Sequence, residues 1–392
     1  MRWIFAAAFL LLAADLFAQN NSPTLDEVLR SPAELEFRDT SLAVVASKLS
    51  QQFRINVLLR EKSLADAAIA PQQKITRKVK GETLGGALTA LLAPSELAWT
   101  RQGEVLLITT KESAGWDRTT HIYRLTKGKP KEFCERLKKE YRPEDWQHGI
   151  YDFTAIPPWN AKEPVKEDEP PKNNNDRHGS IALYGSAIVI SHSHADHFAI
   201  QQKYKDLLLL APADESTLVP PVLMRREDFE FEDAKLSDVV DWIAKDTKLR
   251  VVLDKEALRE GDISTDTRIR MRLKNVPYCT GLDLLLEPHD LAWSYHFGTL
   301  SITTREVDET PETAACIIDT RGLSVEEFGY SPLHDLLEVS TPFWDERNGG
   351  FRNFDPVEPH YLLCKIPYRY QREAVRVAEE LRASLKKPRA GE

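Results

Sequence analysis

The chain has 392 residues, of which 42% are hydrophobic and 29% charged, and its formal net charge is −9. That length holds two or more domains, and that composition excludes an intrinsically disordered chain. The acidic balance, with no Lys/Arg stripe interleaved with aromatics, excludes nucleic acid as a partner class.

Residues 1–18 read as a signal peptide. Arg2 supplies a positive start, Trp3 to Ala14 is apolar but too short to span a membrane, and Ala18 before Gln19 is a cleavage point. No cysteine follows the cut, so no lipid anchor is expected; an uncleaved signal anchor is the alternative. No later stretch reaches about 18 uninterrupted apolar residues. The mature chain is therefore expected to be periplasmic or secreted, with no transmembrane segment.

The rest of the chain repeats itself. EFRDTSL at 36–42 returns as EFEDAKL at 230–236, VLLREKSL at 57–64 as VVLDKEAL at 251–258, LLAPSELAW at 91–99 as LLEPHDLAW at 285–293, and LLITTKE at 106–112 as LSITTRE at 300–306. Each pair is separated by the same 194 residues (position 36 to position 230) with no gap. A tandem duplication explains this, and each copy is expected to pack its own sheet-and-helix core.

Each copy opens alike. A strand ends at Phe37 or Phe231, and Asp39 or Asp233 follows as a helix-start residue. The next helix carries apolar residues at helical spacing: Leu42, Val45, Ala46 and Leu49, or Leu236, Val239, Val240 and Ile243. A strand at 55–59 or 250–253 and an alternating strand at 75–79 or 269–273 come next. A second helix stops near Pro94 or Pro288. Two strands, 97–100 and 105–109, then meet at a tight turn at Gln102-Gly103. Trp99 and Trp293 recur in the first of these strands and read as core packing rather than a ligand platform.

A second unit follows in each copy. In the first it runs through the strand HIYRL at 121–125, a helix at 131–140, Pro143-Glu144-Asp145-Trp146, the strands IALYG and AIVIS, and a helix at 198–209. In the second it runs through CIIDT at 316–320, a helix at 332–339, Pro342-Phe343-Trp344-Asp345, YLLCK at 361–365 and a helix at 372–385. The expected fold class is α+β: a tandem duplication of small two-module βα units, each with short mixed sheets packed by two helices. The expected order is a signal peptide at 1–18, a short module at 24–113, and a strand-and-helix module at 119–210 with a mobile loop at 156–176. A linker at 211–222, a repeated short module at 223–307, a closing module at 313–386 and a tail at 387–392 complete it.

The pattern EFRDTSL…INVLL…KITRKVKGETLGGALTALLAPSELAW…GEVLLITT resembles the secretin and TonB short N-terminal domain. The second unit, with its Pro-x-x-Trp and its strand–strand–helix close, is similar to the ring-building N1-type module of secretins. The resemblance implies a periplasmic interaction module with no catalytic residues and no cofactor. It also implies protein partners, either envelope proteins or further copies of this chain. No secretin pore pattern follows before Glu392, so a pore is not expected.

One stretch points elsewhere. IVISHSHADHFAI at 188–200 contains His192-x-His194-x-Asp196-His197, which looks like the metal-ligand signature of the metallo-β-lactamase hydrolases. His192 and His194 lie two apart on a strand tail, where alternation lets them share a face. Imidazoles and a carboxylate suit Zn²⁺. Against this, the next histidines, His289 and His296, lie in the second copy. That copy also places Ile366, Tyr368, Tyr370 and Gln371 opposite the four residues. Ser193-x-x-Asp196 reads as a capping box, with Ser193 accepting from a first-turn N–H and Asp196 reaching back.

The expectation is therefore no catalytic residue and no metal site. The alternative is a zinc-dependent hydrolase or metal-binding protein using His192, His194, Asp196 and His197. A carbohydrate or peptidoglycan binder would need an exposed aromatic groove. Four cysteines, Cys134, Cys279, Cys316 and Cys364, form no C-x-x-C pair. Cys316 and Cys364 fall in strands of one module and are the natural couple, with four small buried hydrophobes as the alternative.

Overall fold

The computed structural model describes residues 23–146, 150–152, 179–210, 218–308, 315–323, 336–337, 354–357 and 361–385. The expected signal peptide, the loop at 156–176, most of the linker, most of the helix at 332–339, the Pro342–Asp345 motif and the tail lie outside these residues. Helices pack on several small mixed sheets, so the fold class is α+β.

The first copy begins with α1 (Leu25–Arg30), β1 (Ala33–Ser41), α2 (Leu42–Phe53), β2 (Asn56–Leu59) and α3 (Glu61–Asp66). It continues with β3 (Lys74–Gly81), α4 (Leu84–Leu92), β4 (Leu97–Gln102), β5 (Val105–Thr110) and α5 (Lys111–Trp116). β1 and β3 pair antiparallel, and the alternation of β1 as far as Phe37 buries Leu35 and Phe37 while Glu34 and Glu36 face Lys80 and Lys78. β5 is the middle strand of a second sheet, parallel to β2 and antiparallel to β4.

In the second copy the same connections join α8 (Pro221–Met224), β11 (Arg226–Lys235), α9 (Leu236–Thr247), β12 (Arg250–Leu253) and α10 (Lys255–Glu260). They go on through β13 (Arg268–Pro277), α11 (Tyr278–Leu286), β14 (Leu291–His296), β15 (Thr299–Thr304) and α12 (Arg305–Asp308).

Asp39 and Asp233 do not start helices. β1 and β11 run on past them to Ser41 and Lys235, and each Asp sits at a bulge with positive φ, 45° and 89°. Asp tolerates that backbone because its short side chain can bond locally. Trp99 and Trp293 are buried, and their indole N–H groups donate to Thr89 Oγ1 (2.9 Å) and Asp283 Oδ1 (2.6 Å).

The remaining elements of the first copy are β6 (Arg118–Leu125), α6 (Pro130–Glu140), β7 (Tyr151–Asp152), β8 (Ser180–Tyr184), β9 (Ala187–Ser193), α7 (His194–Lys203) and β10 (Leu208–Leu210). They form one five-stranded sheet in the order β10-β6-β9-β8-β7. The helix expected at 198–209 begins four residues earlier, at His194, and ends at Lys203; Leu208–Leu210 leave it to pair with β6. The closing unit contributes β16 (Cys316–Asp319), β17 (Phe354–Val357), β18 (Tyr361–Cys364) and α13 (Tyr368–Leu385).

Two of the cores draw on both copies. Tyr123, Ile181, Leu183, Ile188 and Ile190 point to one face of the five-stranded sheet, where Phe133 and Leu137 of α6 and Ile200 of α7 cover them. Ile122, Ala182, Tyr184, Ala187 and Val189 point to the other face and meet Ala374, Ala378 and Leu381 of α13. This corrects the expectation of a separate core per copy. Strands buried on both faces lose their polar alternation, which explains the unbroken apolar runs of β8 and β9. Val105 and Leu107 of the first copy likewise enter a core built mainly by the second.

Helix α7 is docked on the first short module through Phe198, which lies edge-on to Trp99 at 5.9 Å and over Gly85 of α4. A Cβ on Gly85 would come within 2.6 Å of that ring. Gly85→Val is expected to lower stability by about 2–3 kcal/mol through overpacking, read from the denaturant midpoint at unchanged slope.

Candidate functional site

The residues with ligand-type side chains gather where β9 hands over to α7. Ser193 has extended backbone, and its hydroxyl accepts from the N–H of Asp196 at 3.2 Å, so half of the expected capping box is present. The other half is not. The Asp196 carboxylate takes a hydrogen bond from the Ser193 hydroxyl instead of its N–H, and it turns to Tyr141 Oη (2.8 Å), Arg142 Nη1 (2.8 Å) and His192 Nδ1 (2.9 Å). Burial pushes its acidity down, but His192, Arg142 and Ser193 together outweigh burial and hold its carboxyl below the usual carboxylate range.

The three imidazoles diverge. His192 is buried against Trp146, edge to face at 5.0 Å, with Gly179 pressed beneath it. Its Nδ1 lies 2.9 Å from both Asp196 Oδ2 and the Ser193 N–H. One in-plane nitrogen cannot donate to the first and accept from the second; the carboxylate is the stronger partner and makes Nδ1 the protonated nitrogen. Among the described residues, His192 Nε2 has no hydrogen-bond partner and is buried.

His197 faces away from that group. Its Nε2 donates to the carbonyl of Thr119 at 2.9 Å, so its Nδ1 accepts from the Tyr123 hydroxyl, also at 2.9 Å. Both ring nitrogens are occupied, and the ring lies 4.2 Å from that of His121. Burial pulls His197 down to about 3, so the ring is neutral at physiological pH. His194 starts the helix, because β9 ends one residue before it. Strand alternation therefore does not carry from His192 to His194, and the expected shared face is absent. Among the described residues no group of three or more His, Cys, Asp or Glu side chains is placed to hold a metal ion.

Two cavities flank the junction. His192 and Asp196 border one of about 520 Å³, and His194 opens on another of about 370 Å³. The second is walled by arginines and carboxylates from both copies. Arg60 reaches Asp117 at 3.4 Å and Glu287 at 3.3 Å. Arg372 lies over the face of Trp293 at 4.7 Å and bonds Asp283 at 2.9 and 3.1 Å. Asn56 adds a two-way bond to the backbone of Lys274 across the same junction, at 2.8 and 3.0 Å. These groups neutralise one another across the junction and tie the copies together. None was visible in the sequence, because they come from distant elements with no shared spacing. Tyr141 and Arg142 were hidden in the same way; only the adjoining Pro-x-x-Trp motif marked their neighbourhood.

No protein-family model matches the chain, and no curated protein does. Solved structures that match include the Salmonella SPI-1 injectisome base with InvG N0–N1, SpaPQR and PrgHK. Identity there is 16%, over 40% of this chain and 95% of that one, with a TM-score of 0.19. The Salmonella SPI-1 type III secretion basal body proteins InvG, PrgH and PrgK match at 17% identity over 42% of this chain and 30% of that one, with a TM-score of 0.17. The N012 region of XcpQ matches at 9% identity over 90% and 98%, with a TM-score of 0.16.

Proposed function

We propose that this chain is a non-catalytic, exported envelope protein that acts as a protein–protein interaction or assembly module, binding other envelope proteins or further copies of itself by strand addition. The supporting observation is the edge of the five-stranded sheet. There β10 shows Leu209 and Leu210, 55% and 45% exposed, and among the described residues no strand pairs with its outer side. Elsewhere on that edge, Thr120 of β6 is closed off: its N–H donates to Glu373 at 3.3 Å and its carbonyl accepts from Arg376 at 2.7 Å. An edge that keeps open backbone groups beside exposed aliphatic side chains is a template for an incoming strand. Export rests on the N-terminal stretch, and among the described residues no helix is long and apolar enough to cross a membrane.

The test is size-exclusion chromatography with crosslinking, together with capture from an envelope extract, on the native chain and on a Leu209→Lys/Leu210→Lys variant. The variant is expected to weaken self-association or capture about tenfold or more, since two buried leucines are worth several kcal/mol. A native chain that stays monomeric and captures nothing, or a variant that associates as the native chain does, overturns the reading.

A further inference from the structure

All four cysteines are thiols here and all are buried, but only two of them belong together. Cys134 lies in the core under α6 and Cys279 in the core of the second short module. Cys316 and Cys364 share the core under α13 and are direct cross-strand partners in the antiparallel pair β16–β18. Opposite residues in such a pair hold their Cβ atoms about 4.5–5.5 Å apart, so a small shift brings them to the roughly 3.5–4.5 Å of a disulfide. The strands they would join are four residues each, in a three-stranded sheet of the same short lengths. A sheet that small needs packing or a staple to hold its register.

We propose that Cys316 and Cys364 are a built disulfide site, closed while the chain folds by a disulfide-bearing oxidant of the dithiol-oxidase or glutathione-disulfide class. One protein thiolate attacks a sulfur of the oxidant, forming a mixed disulfide and releasing the oxidant's first thiolate. The other cysteine, as thiolate, then attacks the protein-side sulfur and releases the second. Two protein thiols and one oxidant disulfide become one protein disulfide and two oxidant thiols; the two protein protons pass to the released thiolates, and the oxidant gains two electrons. Timing follows from burial: Cys364 is fully buried and Cys316 nearly so, and burial together with the neighbouring Cys316 pushes the Cys364 thiol up. The native reduced sheet therefore offers little thiolate, and oxidation belongs to folding rather than to the finished molecule. The bond would close a loop of roughly 50 residues and stabilise mainly by restricting the unfolded chain.

The test does not depend on export or on any partner. The full chain, reduced and denatured, is refolded with a mixture of oxidised and reduced glutathione, then alkylated and mapped. The expected result is an intact mass, before alkylation, lower by about 2 Da than that of the reduced chain, then one peptide linking Cys316 to Cys364, and alkylation of Cys134 and Cys279 once the chain is unfolded. Cys316→Ala and Cys364→Ala should each abolish the link, and Cys134→Ala should leave it. Native reduced chain exposed to the same mixture should form the link at least tenfold more slowly. Four alkylated thiols after oxidative refolding, or a link involving Cys134, Cys279 or a second chain, overturns the assignment.

Discussion

Lowering the pH from 7 to 5 is expected to raise the unfolding equilibrium constant of the native chain about 25-fold more than that of a His197→Gln variant. The folded His197 titrates at about 3, because its ring is buried, and not at its ordinary value of 6.5. Between those values the unfolded chain binds a proton that the folded chain refuses. Stability from this group is therefore complete above pH 6.5 and is lost as pH falls toward 3. His192, Asp196 and Arg376 act on the ring from β9, α7 and α13, while Thr119 and Tyr123 of β6 hold its two nitrogens. Burial also holds His121 and His194 well below their ordinary value, and they act in the same sense.

Glu380 acts in the opposite sense. Burial raises it to about 7 against the pull of Arg376, so the folded chain gains a proton there as pH falls. Only the difference between native chain and variant isolates His197. The measurement is urea denaturation at both pH values. Parallel pH profiles for the two proteins would show that the ring is not held neutral by burial.

Asp196→Ala is expected to cost about 3 kcal/mol at neutral pH. The carboxylate is 7% exposed and joins four partners: Ser193 and His192 at the strand end, and Tyr141 and Arg142 after α6. Removing it strands the buried His192 Nδ1–H and the Tyr141 hydroxyl, whose proton burial and Asp196 already hold well above the ordinary value. Arg142 is half-exposed and recovers water, so it contributes little to the loss. The measurement is the denaturant midpoint alongside metal content. A stability change below about 1 kcal/mol with loss of a bound ion would make Asp196 a ligand rather than a structural hub.

Much of the fold was legible because hydrophobic periodicity reports burial locally. The spacing of Leu42, Val45, Ala46 and Leu49 marked α2, and Pro94 and Pro288 marked where α4 and α11 stop. The site was only partly legible. Ser193 could be read as a cap from its place before a helix. The direction of His194 could not, because it depended on β9 ending one residue earlier. Asp39 was misplaced because a residue suited to a helix start is equally suited to a left-handed bulge.

The sequence by itself determined the 194-residue repeat, the α+β class and the strands IALYG and AIVIS. Tertiary structure alone decided what buries them, namely α6 and α7 on one side and the distant α13 on the other. It also decided that three neighbouring imidazoles face three different surroundings, and that Cys316 stands opposite Cys364. The physical reason is that apolar patterning fixes which face of an element must leave water. It carries no term for which other element arrives to cover that face.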